Sequence, residues 1–391
     1  MLSQRVQSIE PSPTLALTGK VAVLKREGIS VINFGAGEPD FPTPEPICDA
    51  AIKAIRDGKT KYTPGSGIIE LREAIAEKML RENNIKISPQ QIVVSAGAKQ
   101  SVYQALMSLI DAGDEVILFA PYWMTYKDQV VLAGGVPVVV KTNGDEAFVP
   151  NLEEISRAIS SKTKVILVNS PSNPTGAVYP QDVLRGIAEL AVKHNLHIIA
   201  DEIYERLIYE GAKHESIGAF GEEILARTVT ISGVSKTFAM TGWRIGWSAS
   251  PPQIAQSIAK LQDQITSNAT SISQYASIAA LQMPEADVAA MVSEFDRRRR
   301  TMTAELLNIP GVTMKTPRGA FYAFANFSSY LNAKLETDCA LADLLLDEAR
   351  AACVPGSVFE GPGHLRLSYA LSTDQICEGV SKIAAVLENL K

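Results

Sequence analysis

Through the middle of the chain, short runs of apolar residues alternate with longer stretches in which apolar side chains return every third or fourth place. The runs are Gln91–Ser95, Glu115–Phe119, Val136–Val140, Lys164–Asn169, His197–Asp201 and Thr228–Ile231. They are nearly continuous in Val, Ile and Leu, which predicts strands covered on both faces, as in a parallel sheet. Gly67–Asn83, Gln100–Ile110 and Pro180–His194 predict amphipathic helices, with Gly113, the pair Gly134 and Gly135, and Asn195 as helix stops. This alternation predicts a doubly wound α/β domain with a mostly parallel sheet.

The two ends read differently. A helical stretch near Thr18–Gly28 leads into a short strand and then the loop Phe34–Pro44, rich in Gly and Pro. Beyond about Pro284 comes a long polar helix carrying Arg297–Arg300, then alternating strands at Phe321–Phe327 and Leu365–Ser368 and a closing helix at Thr373–Leu390. Four arginines in a row predict a solvated helix face. Residues 46–284 are therefore expected to form a large domain, with 1–45 and 285–391 together making a smaller α+β domain from both termini.

Composition narrows the function classes. The chain has 391 residues, and 37 Lys and Arg against 43 Asp and Glu leave a net charge of −6. Such mild acidity gives no basic footprint for nucleic acid or for an anionic membrane. No apolar run approaches the ~18–20 residues of a membrane span, and Met1–Pro11 lacks the apolar stretch of a signal peptide. Cys48, Cys339, Cys353 and Cys377 are far apart and form no CxxC pair, which fits a reducing compartment. A cytoplasmic protein is expected. His194 and His197 stand three apart with no second ligand pair, so no metal centre is expected there. No GxGxxG opens a strand–helix unit, which argues against a dinucleotide oxidoreductase.

The most specific chemical signal is Gly233-Val-Ser-Lys236-Thr-Phe-Ala-Met-Thr-Gly-Trp-Arg244-Ile-Gly246. A lysine just past an apolar strand, among small residues, can be partly desolvated. Burial lowers an amine's pKa, and the neutral amine is the form that condenses with an aldehyde. Arg244, eight residues on, adds a rigid fork suited to phosphate. A strand followed by Ser95-Ala-Gly97-Ala98-Lys99 at a helix start offers free N–H groups and a favourable dipole end for the same anion.

This segment resembles the pyridoxal-phosphate attachment signature of class I aminotransferases, of fold type I. The resemblance extends to Gly37-Glu-Pro-Asp40, Ser170-Pro-Ser-Asn173-Pro-Thr-Gly176, Asp201-Glu-Ile-Tyr204 and Arg366-Leu-Ser-Tyr369, in the family's order along nearly the whole chain. Ser12-Pro-Thr14 and Gly97-Ala-Lys99-Gln100 are most similar to the bacterial type Ib aspartate aminotransferase group, some of which also accept prephenate. The resemblance implies pyridoxal 5'-phosphate as cofactor, amino acids and 2-oxo acids as substrates, and a homodimer with composite active sites.

It also assigns roles. Lys236 is expected as the Schiff-base lysine and proton carrier, Asp201 as the carboxylate facing the pyridine nitrogen, and Asn173 and Tyr204 as donors to the ring hydroxyl oxygen. Trp123 is expected to stack on the ring, Gly97, Ala98, Lys99 and Arg244 to cup the phosphate, and Tyr62 to reach the neighbouring subunit's phosphate. Arg366 and the Gly37 N–H are expected to hold the substrate α-carboxylate, with Trp123 and Asn173 also bordering the substrate. Lys99 and Thr14 are expected at its distal group. Taken one by one, Asp201 could cap a helix, Asn173 could serve a turn and Trp123 could be core filler. Many relatives carry a phosphate-binding hydroxyl where this chain has Gly233, leaving Ser232 or Ser235 to compensate. The implied reaction passes the amino group of aspartate or glutamate to 2-oxoglutarate or oxaloacetate. A β-lyase or decarboxylase of the same fold is the nearest alternative, and a cofactor-sensing DNA-binding regulator is disfavoured by the charge balance. The Gly- and Pro-rich loop predicts closure over substrate.

Overall fold

The computed structural model describes residues 2–333 and 335–390. After the two-residue strand β1 (Ile32–Asn33), seven strands build the main sheet: β2 (Ile92–Ser95), β3 (Glu115–Ala120), β4 (Val136–Lys141), β5 (Thr163–Asn169), β6 (His197–Asp201), β7 (Thr228–Gly233) and β8 (Gly246–Ala249). Their order is β2-β8-β7-β6-β5-β3-β4, with β8 antiparallel to both its neighbours and every other pairing parallel. The six expected strands are all present. β8 is the addition, a four-residue Gly-Trp-Ser-Ala strand too short and too small in its side chains to stand out as an apolar run.

Both faces of the inner strands are covered, as their unbroken Val/Ile/Leu runs predict, but the edge strand β4, just as apolar, leaves Val136 and Val139 exposed. Ile117, Ile166 and Ile198 pack with Leu184 and Ile187 of the helix Gln181–Lys193, while Val116, Val165, Ile199 and Val229 meet Val102 and Leu106 of the helix Ala98–Leu109. Each such side chain, fully buried, contributes roughly 1.5–3 kcal/mol of apolar transfer. The sheet ends in register on one side, where Asn169 of β5 stands beside Asp201 of β6.

The termini meet. β1 pairs parallel with β10 (Ala351–Ala352), and β9 (Tyr322–Asn326), β11 (Val354–Pro355) and β12 (His364–Ser368) form an antiparallel sheet in the order β11-β12-β9. The first long helix runs Pro13–Arg26, several residues earlier than expected, because Pro13 suits the first helical position and so sets the start. That start carries Thr14 into the first turn.

One expectation fails in part. Arg297 and Arg300 of the helix Glu285–Leu307 are exposed, but the side chains of Arg298 and Arg299 are only 8% and 0% exposed. Residues advance about 100° each around a helix, so four in a row cannot share one face. Arg298 pairs with Asp40 of the Gly/Pro loop at 2.6 Å and lies over the Phe41 ring at 4.9 Å. Arg299 pairs with Glu210 at 2.6 Å and donates to the Pro317 carbonyl at 3.2 Å. Among the described residues no helix is long and apolar enough to cross a membrane.

Candidate active site

A cavity of about 430 Å³ opens where β5, β6 and β7 end. Ligands of doubly wound sheets bind at this edge, outside the carboxyl ends of the strands. Its walls bring together Ala98, Lys99, Trp123, Asn173, Asp201, Tyr204, Lys236 and Arg244 with Thr14, Gly37 and Arg366 from the terminal segments. Gly97 lies just behind the wall. Tyr62 is not brought in: it is 90% exposed and lies apart from the cavity of its own chain.

Lys236 sits on the loop after β7, and its Nζ donates to the Gly37 carbonyl at 2.6 Å. Burial pulls its pKa down to about 8; Glu38 opposes the shift, while Arg244 and Arg366 reinforce it. The ammonium of Lys99 lies 4.8 Å from the centre of the Trp123 ring and is lowered by burial and then by Arg244. Arg244 donates to the Thr241 carbonyl at 2.9 Å and the Ala96 carbonyl at 3.2 Å. Gly97, at φ 85°, lets this guanidinium approach the helix start, since a Cβ there would overlap it. Arg366 donates to Asn173 Oδ1 at 2.9 Å and the Gly35 carbonyl at 3.0 Å, under the Tyr322 ring at 4.4 Å. Its Nε is buried without a partner among the described residues. None of these four cations forms an ion pair with a described carboxylate; their partners are carbonyls, an amide and rings.

Asp201 is the anion at the floor. Its Oδ2 accepts from the Tyr126 hydroxyl at 2.7 Å and its Oδ1 from the Ile203 N–H at 3.2 Å. Burial raises its pKa to about 6, against the pull of those two donors. The Tyr204 hydroxyl lies 2.9 Å from that of Tyr322.

Several neighbours were not legible beforehand. Tyr126 and Tyr322 reach Asp201 and Tyr204, and Asn169 donates to the Asp201 carbonyl at 2.9 Å while accepting from the Asn173 N–H at 2.9 Å. Asn169, as the last residue of a strand one place from Asp201's, was the most discoverable. Tyr126 follows Trp123 by one helical turn, a spacing that could have flagged it. Of the two hydroxyls that could compensate for Gly233, Ser235 borders the cavity, whereas Ser232 turns away to donate to Glu205 Oε1 at 2.6 Å.

A doubly wound sheet whose strand ends present a desolvated lysine, a buried aspartate and two arginine forks defines an amine-handling enzyme acting on anions. Residues 29–383 match the family described as aminotransferase class I and II, and the chain belongs to that family. It is 45% identical to an aspartate aminotransferase of Geobacillus stearothermophilus, with 99% of each chain covered. It is 44% identical to an aspartate/prephenate aminotransferase of Thermus thermophilus, with 99% of this chain and 98% of that one covered. The structure of Thermus thermophilus aspartate aminotransferase with maleate superposes with a TM-score of 0.94 at 42% identity, covering 99% of both chains.

Proposed function

We propose that this chain is an aspartate aminotransferase dependent on pyridoxal 5'-phosphate, moving the amino group of aspartate or glutamate to a 2-oxo acid, with prephenate as a further acceptor. The observation that carries the reading is the convergence of Lys99, Lys236, Arg244 and Arg366, none of them matched to a carboxylate, over the buried Asp201. The names of the relatives, and a neighbour solved with the dicarboxylate maleate, support the substrate class.

The donor set suits the cofactor. The cradle at Gly97, with Ala98, Lys99 and the Arg244 fork, offers helix-start N–H groups and positive charge to a phosphate. Asp201 offers an anion to a ring nitrogen, Trp123 a face, and the Asn173 amide and Tyr204 hydroxyl two donors to a ring oxygen. When bound, the cofactor supplies an aldehyde for the amine and a cationic ring that disperses the charge left at the substrate α-carbon.

The chain's own residues do the remaining work. The amine of Lys236, with its pKa near 8, is available in the neutral form close to physiological pH to hold the proton taken from the α-carbon and to return it. Arg366 grips the α-carboxylate with its fork, the Nε adding a donor, and the exposed Gly37 contributes its N–H. Lys99, at the cavity wall, takes a distal carboxylate, and Thr14, which lines the same cavity, assists it. Tyr62 completes the phosphate cup of a neighbouring copy, so the working unit is a homodimer with composite sites in the cytoplasm. The domain built from 1–45 and 285–391 closes on the 46–284 domain when substrate binds.

The test is a panel of amino donors against 2-oxoglutarate, oxaloacetate and prephenate. One keto acid per amino acid consumed, with no ammonia or carbon dioxide released, is expected. Release of either assigns a lyase or decarboxylase instead. Borohydride treatment of the loaded protein should add the vitamer's mass to the peptide containing Lys236; an unaltered peptide removes the cofactor from the account.

A further inference from the structure

The turn from Asp201 to Glu205 has two faces. Asp201 and Tyr204 point into the cavity; Glu202 and Glu205 point the other way, into a closed polar network. Glu205 Oε2 accepts from Lys78 Nζ at 2.5 Å and from Asn83 Nδ2 at 2.6 Å, and its Oε1 accepts from the Ser232 hydroxyl at 2.6 Å. Glu202 Oε2 accepts from the Ser216 hydroxyl at 2.6 Å and faces His214 Nε2 at 3.1 Å. Lys78, Glu202, Glu205 and Ser232 are each 6% exposed or less. Against the upward push of burial, Lys78 and His214 hold the Glu205 carboxyl down at about 2, so it stays ionised.

Ligand atoms of Glu202, Glu205 and His214 lie within 4.8 Å of one another, a spacing a metal ion could bridge. The Lys78 ammonium already occupies the position from which a cation would meet Glu205. The cluster is a charge network, not a metal centre.

Two features decide what the network does. A buried ion pair is a poor way to gain stability, because desolvating both charges offsets their attraction, and apolar residues of the same shape do as well or better. Its chain positions, however, are telling. Ser232 is the penultimate residue of β7, four before Lys236; Glu205 lies in the turn that follows Asp201, the last residue of β6; Lys78 and Asn83 belong to the helix Ile69–Asn83. One carboxylate thus ties together the segments that carry the site's amine and its buried acid.

We propose that Glu205, oriented by Lys78, is a positioning residue for Lys236: through Ser232 it fixes the end of β7 against the Asp201–Glu205 turn, and so sets the distance between the lysine amine and the Asp201 carboxylate. The proposal rests on the reading that Lys236 carries the cofactor. It adds residues outside the cavity that act on the reaction without touching substrate.

The test uses the cofactor-loaded protein. Wild type is measured first: an absorbance band that titrates with pH and is fixed by borohydride at Lys236 must be present, and its absence overturns the cofactor reading rather than this one. The double variant Lys78→Met with Glu205→Leu keeps the volume and removes both charges. Expected are an unchanged or higher Tm, a shift of about half a pH unit or more in the band's midpoint, and a kcat lower by about 10-fold with KM for aspartate within about twofold. Ser232→Ala removes only the link and is expected to move the midpoint the same way with a kcat loss of about threefold, while Ser232→Thr restores both. An unmoved midpoint and kcat in Ser232→Ala, or in a folded double variant, overturns the proposal and leaves the network a structural element only. Should the double variant not fold, Ser232→Ala decides alone.

Discussion

Cations are buried in this molecule in two contrasting ways. At the cavity, Lys236 and Arg366 have given up water for carbonyls, an amide and aromatic rings, and burial lowers the pKa of both. Behind and beside it, Lys78, Arg298 and Arg299 are matched to Glu205, Asp40 and Glu210 at 2.5–2.6 Å. Both arrangements carry a desolvation cost of several kcal/mol per ion, but only the second recovers it within the fold. Matched charge joins segments of chain. On the proposed function, unmatched charge is arranged for an anion that arrives from outside, and the chemistry depends on that set.

Four substitutions probe that contrast. The largest effect is expected for Lys236→Ala, which should lower transamination by about 10⁴-fold or more while leaving Tm at neutral pH unchanged or higher, since it removes a buried amine. Steady-state rates and melting curves check it; activity within tenfold of wild type would break the cavity half of the comparison.

Next comes Asp201→Asn in the cofactor-free protein. The folded carboxyl titrates at about 6 against an ordinary 3.8, so above pH 6 the native state bears a cost of about 3 kcal/mol that is absent below pH 4. The asparagine variant should therefore melt higher than wild type at pH 7, and the gain should fade as pH falls from 6 to 4, though the cofactor-loaded variant should lose turnover at every pH. A variant that is no more stable at pH 7 would mean the buried acid is not strained.

On the matched side, Arg299→Met leaves Glu210 without its partner and Asp296 with Arg300 alone, and should destabilise by about 2 kcal/mol, with KM for aspartate within about twofold. A rise in KM with no fall in Tm would erase the distinction between the two sets. The smallest effect is expected for Lys99→Ala, about tenfold in kcat/KM for aspartate and little for a monocarboxylic donor such as alanine. Equal losses with both donors would separate Lys99 from the distal carboxylate.

The same contrast explains what could be read from the residues alone. Five of the six expected strands announced themselves because burial on both faces demands unbroken apolar runs; the edge strand β4 has such a run but leaves Val136 and Val139 exposed. Lys236, Arg244, Asp201 and Arg366 stood out because each is embedded in a dense local pattern. Tyr126, Tyr322 and Asn169 gained their places from partners 32 to 118 residues away, and local spacing offers at most a hint for Tyr126 and Asn169 and none for Tyr322. Arg298 and Arg299 were illegible for a related reason: a run of like charges looks the same whether its members face water or a carboxylate on another segment. The network at Glu205 went unnoticed since its members, Lys78, Asn83, Ser216 and Ser232, are ordinary residues whose meaning comes only from meeting.

The contact between Gly97 and Arg244 has a consequence for how such a chain can change over time. Any larger residue at 97 collides with the guanidinium, and trimming the arginine first removes the positive charge that the anion cup is built around. Either single step is therefore expected to disturb this corner, by displacing the guanidinium or by removing its charge. The two positions are expected to vary together more often than apart.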